Sequence, residues 1–307
     1  VVAGVKEEID LHGGHAFRVL RWTKGVKDVE VVLSPGRSVG VAGMGDRWHY
    51  HQALELTLFV TGEGTRFVGD RISPFGSGDL VLLGESLPHH WRAHGVSTGI
   101  SVQWHFPASH PIWSFPETQG LAGFFKAAGR GIHFRGATAA LLTAQLKQLL
   151  GTSALDRLGL LLRILATMSA TPAGDQSFIS NRTFILSVEG RHQAAMQDAM
   201  WYLLTHFRDE VRMGQLLKLT RMSKPTFSRQ FKAYSGKTLQ LFLQDIRLGA
   251  ACHDLKETDH SIVDCALASG FSQISFFNRL FRRTLKCSPS KFRGRFRSPS
   301  KASALQR

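Results

Sequence analysis

Apolar residues in the first 110 positions come in short bursts. Phe17–Trp22, Val29–Leu33, Leu54–Val60, Leu80–Leu83 and Gly99–Phe106 are each four to eight residues long. Turn-forming clusters separate them: Ser34-Pro35-Gly36, Gly62-Glu63-Gly64 and Pro74 through Asp79. Many short strands at this spacing predict a β sandwich or barrel. The period then changes. Leu141, Leu142, Leu146, Leu149 and Leu150, then Leu158, Leu161, Leu162 and Leu165, recur at helical spacing around a break at Gly151-Thr152-Ser153. This helix pair is too apolar to be fully solvated. Packing against the β region and a dimer interface are both open, and they are compatible. Residues 170–190 carry turn formers and read as a linker.

From Arg191 to Arg293 the pattern is helical, and one unit occurs twice. In the first copy Met213, Leu216 and Leu217 share a face, and Thr220 to Ser223 makes a turn. Phe227, Phe231 and Tyr234 then line the next helix at i, i+4, i+7. Ser223 is a favoured N-cap, and Pro225 falls in the first turn, where its missing N–H costs little. About 50 residues later Ile262, Cys265 and Ala266 form the first inner face. Gly270-Phe271-Ser272 makes the turn, and Phe277, Leu280 and Phe281 form the second stripe. Thr238–Leu255 reads as one helix joining the copies. Two helix-turn-helix units on one connector suit successive major grooves, about 34 Å apart.

Charge sharpens this picture. The chain has 307 residues and a net charge of +15. Residues 1–120 carry −2, residues 121–190 carry +4 and residues 191–307 carry +13. Only the last third expects a polyanionic partner. An apolar share of 43% excludes global disorder. The most apolar stretch, Leu158–Leu165, is too short to span a bilayer, so no membrane association is expected. The start carries no secretory pattern. Three cysteines without C-x-x-C spacing give neither a disulfide framework nor a zinc finger, and fit a reducing cytoplasm.

The duplicated segment resembles the DNA-binding domain of AraC-type (AraC/XylS) transcription regulators. The first half shares Met222-Ser223, Ser228-Arg229-x-Phe231-Lys232, Gly236-Lys237-Thr238 and Arg247-Leu248-x-x-Ala251. The second shares Ile262-x-x-Cys265-Ala266-x-x-x-Gly270-Phe271, Ser275-x-Phe277-x-Arg279-x-Phe281-Arg282-Arg283 and Ser288-Pro289-x-x-Phe292-Arg293. Leu217, Arg221 and Lys286 depart from the family's Ala, Gly and Gly, so the second unit's geometry is the firmer expectation. The resemblance implies base contacts from Pro225, Thr226, Ser228 and Arg229, and from Gln273, Ile274, Ser275, Asn278 and Arg279. Lys224, Lys232, Arg282 and Arg283 suit phosphates.

His49, His51 and Glu55 share strand parity and would point to one face. With His89 after the Leu80–Leu83 run, they could hold one divalent ion: Zn, Fe, Mn or Ni. Gly43-x5-His49-x-His51-x3-Glu55-x6-Gly62 resembles the first cupin motif; Gly78-Asp79 and Pro88-His89 match the second in part. Sensor cupins also use such residues to hold an effector directly, so metal and effector remain alternatives.

The expected fold is α+β. A cupin-like β-barrel (1–115) precedes a helical dimerisation segment and linker (116–190). An all-α domain with two helix-turn-helix units (191–294) and a basic tail (295–307) complete it. The expected function is regulation of transcription by a non-enzymatic homodimer. It would bind double-stranded DNA and a small effector, with a sugar-like polyol as one candidate and RNA polymerase as a further candidate partner. The alternative is a metal-dependent cupin dioxygenase or isomerase with an appended DNA-binding domain.

Overall fold

The computed structural model describes Glu7, Ile9, residues 16–181, Thr183 and residues 192–295. The tail beyond Arg295 and most of the stretch 182–191 lie outside the described residues. The chain divides into two compact units, residues 1–197 with 234–236, and residues 198–233 with 237–307.

The first unit is built on antiparallel strands: β1 (Phe17–Trp22), β2 (Asp28–Ser34), β3 (Arg37–Ala42), β4 (Leu54–Thr61), β5 (Gly64–Val68), β6 (Arg71–Phe75), β7 (Leu80–Leu83), β8 (His89–Ala93) and β9 (Thr98–Trp104). Helix α1 (Leu121–Ala128), strand β10 (Ile132–Phe134), helices α2 (Gly136–Leu149) and α3 (Ala154–Ser169), and strand β11 (Gln176–Phe178) follow. An eight-stranded sheet runs β11-β10-β7-β4-β9-β1-β2-β3, facing a three-stranded sheet β6-β5-β8. Segment 116–190 therefore does more than link. It lends β10 and β11 to the large sheet, and its helices cover one face.

The expected barrel does not close. The strands form two separate sheets, and an isolated bridge between His49 and His89 ties the β3–β4 connection to β8. Bulky rings such as Phe59, Phe75 and Trp91 fill the space between the sheets, and β3 is left as an exposed edge. The result is a two-sheet sandwich held apart by side chains.

Strand parity explains both cores. On β4, Leu54, Leu56 and Leu58 point to the helices, where they meet Leu142, Leu146, Leu161 and Leu165. Phe59, of opposite parity, points to the small sheet with Trp22 and Trp91. The leucine helices thus pack on the β domain. Their outer faces still expose Leu141, Leu155, Leu158 and Leu162.

The second unit comprises most of α4 (Gln193–His206), α5 (Met213–Thr220), α6 (Lys224–Ser235), α7 (Leu239–Glu257), α8 (Ile262–Ala268), α9 (Ile274–Leu285) and α10 (Pro289–Gly294). Capping matches the sequence. Thr238, Ser261 and Ser288 accept from Leu241, Asp264 and Lys291 main-chain N–H groups, and Pro289 opens α10.

Candidate nucleic-acid interface and effector cavity

Helices α5–α6 and α8–α9 are the two predicted helix-turn-helix units. Phe227 and Phe231 are fully buried in the first, and Phe277 and Phe281 in the second, with Leu280 buried beside them. Both glycine departures fall on left-handed backbone. Arg221, after α5, has φ +53°, and Lys286, after α9, has φ +57°. The first unit keeps its helix-turn-helix form and carries the strain instead, on the order of 1–2 kcal/mol per residue. Gly270 needs its glycine twice over. Its φ is +90°, and a Cβ there would lie 2.8 Å from both Arg247 Nε and Phe207 O. Arg247 braces this corner, donating to Phe207 O at 2.7 Å and Asp209 O at 2.8 Å.

The buried stripes turn the polar faces outward. In α6, Lys224, Pro225, Ser228, Arg229 and Lys232 are exposed and Thr226 is half-buried. Ser223 Oγ donates to Thr226 Oγ1 at 3.0 Å, so Thr226 helps close the cap as well as facing out. At the start of α9 and along it, Gln273, Ser275, Arg279, Arg282 and Arg283 are exposed, with Ile274 and Asn278 half-buried. These are one-sided amphipathic helices with cationic outer faces, suited to groove and phosphate contacts.

The histidines converge in the first unit. Their ring nitrogens at His49, His51 and His89 offer donor atoms within 4.8 Å of one another, and all three side chains are buried. Each Nδ1 lies 2.8 Å from a main-chain carbonyl: Arg47 O, Ala53 O and Leu87 O respectively. A carbonyl only accepts, so each Nδ1 carries the hydrogen and each Nε2 is turned inward. Glu55 stands behind this trio, 2.9 Å from His51 Nε2. Burial and the neighbouring imidazoles hold His89 well below the ordinary histidine range. Burial opposes charge on His51 too, but Glu55 outweighs it and raises His51 above its ordinary value. His90 is buried against Phe67, and burial lowers it to about 3.

A cavity of about 290 Å³ adjoins Glu55. Sequence reasoning missed its floor. Gln103 on β9 sits directly across from Arg18 on β1 and from Glu55 on β4, and Ser101 sits across from Thr57. Arg18 Nε donates to Gln103 Oε1. Gln103 Nε2 donates to Glu55 Oε2 at 2.6 Å, and Thr57 also donates to Glu55. A buried polar row therefore runs Arg18–Gln103–Glu55–His51. Its sequence signal was a polar residue at the inward parity of otherwise apolar strands.

The last third of the chain is thus a double helix-turn-helix domain. The Helix-turn-helix domain family matches residues 216–295. The transcriptional activator RhaS of Enterobacter sp. (strain 638) is 36% identical over 108 residues, 34% of this chain and 39% of that protein. RhaS of Salmonella arizonae is 25% identical over 255 residues, 80% of this chain and 86% of that protein. A solved AraC-type regulator from Chromobacterium violaceum is 24% identical, with a TM-score of 0.32 over 35% of this chain and 96% of that one. At 32–36% identity, the chain spans about two fifths of the RhaS proteins it matches. Residues 216–295 are a helix-turn-helix domain.

Proposed function

We propose that the protein is a sequence-specific DNA-binding regulator of transcription whose β domain senses a small molecule. The observation carrying this reading is the duplicated helix-turn-helix with a cationic outer face on each second helix. Base contacts are assigned to Pro225, Thr226, Ser228 and Arg229, and to Gln273, Ile274, Ser275, Asn278 and Arg279. Lys224, Lys232, Arg282 and Arg283 take phosphates. Four buried polar groups around one cavity support sensing rather than turnover as the role of the β domain. Effector binding would shift the population of DNA-binding arrangements. The exposed leucines Leu155, Leu158 and Leu162, at i, i+3, i+7 on α3, support a homodimer through that face. Three reduced thiols among the described residues agree with a cytoplasmic setting.

The histidine trio fits a divalent metal. Metal-bound histidines commonly tether their second nitrogen to a carbonyl, as all three do here. His89 Nε2 is buried without a hydrogen-bond partner in the structure. Neutral imidazoles suit zinc, nickel or iron, with Glu55 as the adjacent carboxylate. A bound ion would supply a fixed positive charge for effector oxygens. Selection of binding sites from random DNA tests the main reading. A recovered consensus is expected, and enrichment of none would defeat it.

A further inference from the structure

Each helix-turn-helix copy has two left-handed corners, one before its second helix and one after it. In the first copy they are Arg221 (φ +53°) and Gly236 (φ +78°); in the second they are Gly270 (φ +90°) and Lys286 (φ +57°). Each corner is therefore glycine in one copy and a long cation in the other. Glycine adopts this backbone without the clash that a Cβ brings, so each cation needs a reason of its own.

The two corners that precede the second helices differ in room. At Gly270 a Cβ would lie 2.8 Å from Phe207 O and 2.9 Å from Arg208 O, so the second copy admits no side chain there. At the matching corner of the first copy the Arg221 side chain is exposed. Among the described residues its guanidinium has no hydrogen-bond or ion-pair partner. The chain from Val211 to Gln244 holds no Asp or Glu that could serve as one. Lys218 and Lys224, three residues to either side, are exposed as well. The corner thus carries uncompensated positive charge that the fold itself does not use.

From this arrangement we infer that Arg221 binds a backbone phosphate of DNA at the edge of the groove that α6 enters. This rests on the proposed DNA-binding role and adds a contact to it. Position selects Arg221 over Lys286. Recognition helices meet the bases with their N-terminal residues. Arg221 lies three residues before α6, which begins at Lys224. Lys286 caps the far end of α9, a helix of 12 residues. At 1.5 Å per residue, that end lies about 18 Å along the axis from the end that meets bases. Chemistry selects phosphate over base. The corner precedes the helix that reads the groove, and the planar guanidinium fork matches phosphate oxygens. The copies therefore differ: the first adds a phosphate contact at its turn, and the second has no room for one.

The test places the full chain on two duplexes of equal length, one selected from random DNA and one unrelated, across a salt series. Thermal unfolding of the same samples is followed by circular dichroism. Arg221→Gly removes the charge and relieves the backbone together. It should weaken binding to both duplexes about fivefold at about 0.15 M salt and lower the salt slope by about 0.9. The Tm of the helical unit should rise by about 2–8 °C. A residue that serves only the fold would not move stability and DNA affinity in opposite directions. Arg221→Lys should keep the parent salt slope. Lys286→Gly should raise Tm and leave affinity and slope unchanged. Arg221→Gln removes the charge but keeps the strain, so it should show the same loss and keeps the inference testable if Arg221→Gly does not fold. Parent affinity and slope in Arg221→Gly, a loss confined to the selected duplex, or a loss accompanied by a fall in Tm would each overturn the inference. A parent chain that binds neither duplex defeats the regulator reading itself, whereas a parent that binds both with Arg221→Gly unchanged defeats this inference alone.

Discussion

Replacing Gln103 by Leu isolates the polar row. The two side chains are similar in size, so packing is nearly conserved. Gln103 is 2% exposed and bonds two groups that carry charge, Arg18 and Glu55. Each such bond contributes about 1.5–3 kcal/mol, which puts the loss at about 3–6 kcal/mol. The adjoining cavity admits water to both charged groups and lowers the expected value to about 3 kcal/mol. Urea unfolding followed by tryptophan fluorescence reads this unit directly, because Trp22, Trp48, Trp91 and Trp104 are buried in it. With a urea slope of about 1–3 kcal/mol/M, the midpoint should fall by about 1–3 M. Thr57→Val, which removes the bonds to Glu55 and Ser101 but leaves Gln103 between Arg18 and Glu55, should fall by less. A Gln103→Leu midpoint within about 0.3 M of the parent would refute the idea that Gln103 joins the two charges.

Three further outcomes are expected. Arg279→Ala should weaken binding to a selected site by about 1–3 kcal/mol, while leaving binding to unrelated DNA nearly unchanged; Arg283→Ala should weaken both alike and flatten the salt dependence. A competition gel shift separates the two patterns, and equal losses for Arg279→Ala would reverse its assignment. Zinc or nickel at about 100 times its Kd should stabilise the β unit by about 2.7 kcal/mol, a rise of about 5–10 °C in Tm. His89→Ala should abolish that rise, and a rise that survives would move the metal elsewhere. Lys286→Gly should raise the stability of the helical unit by about 0.5–1 kcal/mol by relieving the left-handed backbone. A loss instead would mean that the Lys286 side chain contributes more than its strain costs.

The parts legible in sequence are those whose signal is local. The paired leucine helices, the connector α7 and both helix-turn-helix units repeat at helical spacing and carry their caps in the chain. The strands least legible were β5, β6, β10 and β11. Gly64 opens β5 and Pro74 sits inside β6, so both read as turns. Pro74 is tolerated because β6 is an edge strand. Strands β10 and β11 are three residues long and owe their pairing to the sheet beside them. Histidine parity pointed to the trio, because His49 and His51 are close in sequence. The row Arg18–Gln103–Glu55 was hidden, since it exists only through the register of three strands that are distant in the chain. Likewise Glu7 looks like a solvated charge until the fold sets it against Arg18.

In the proposed function one domain reads DNA with two recognition helices, α6 and α9. Hydroxyl-radical footprinting on a selected binding site tests it most directly. Two protected patches on one face of the duplex, about one helical turn or 10–10.5 base pairs apart, are the predicted result. Arg229→Ala should erase one patch and Arg279→Ala the other. A single patch unaffected by one of these changes, or protection that ignores sequence, would contradict the account.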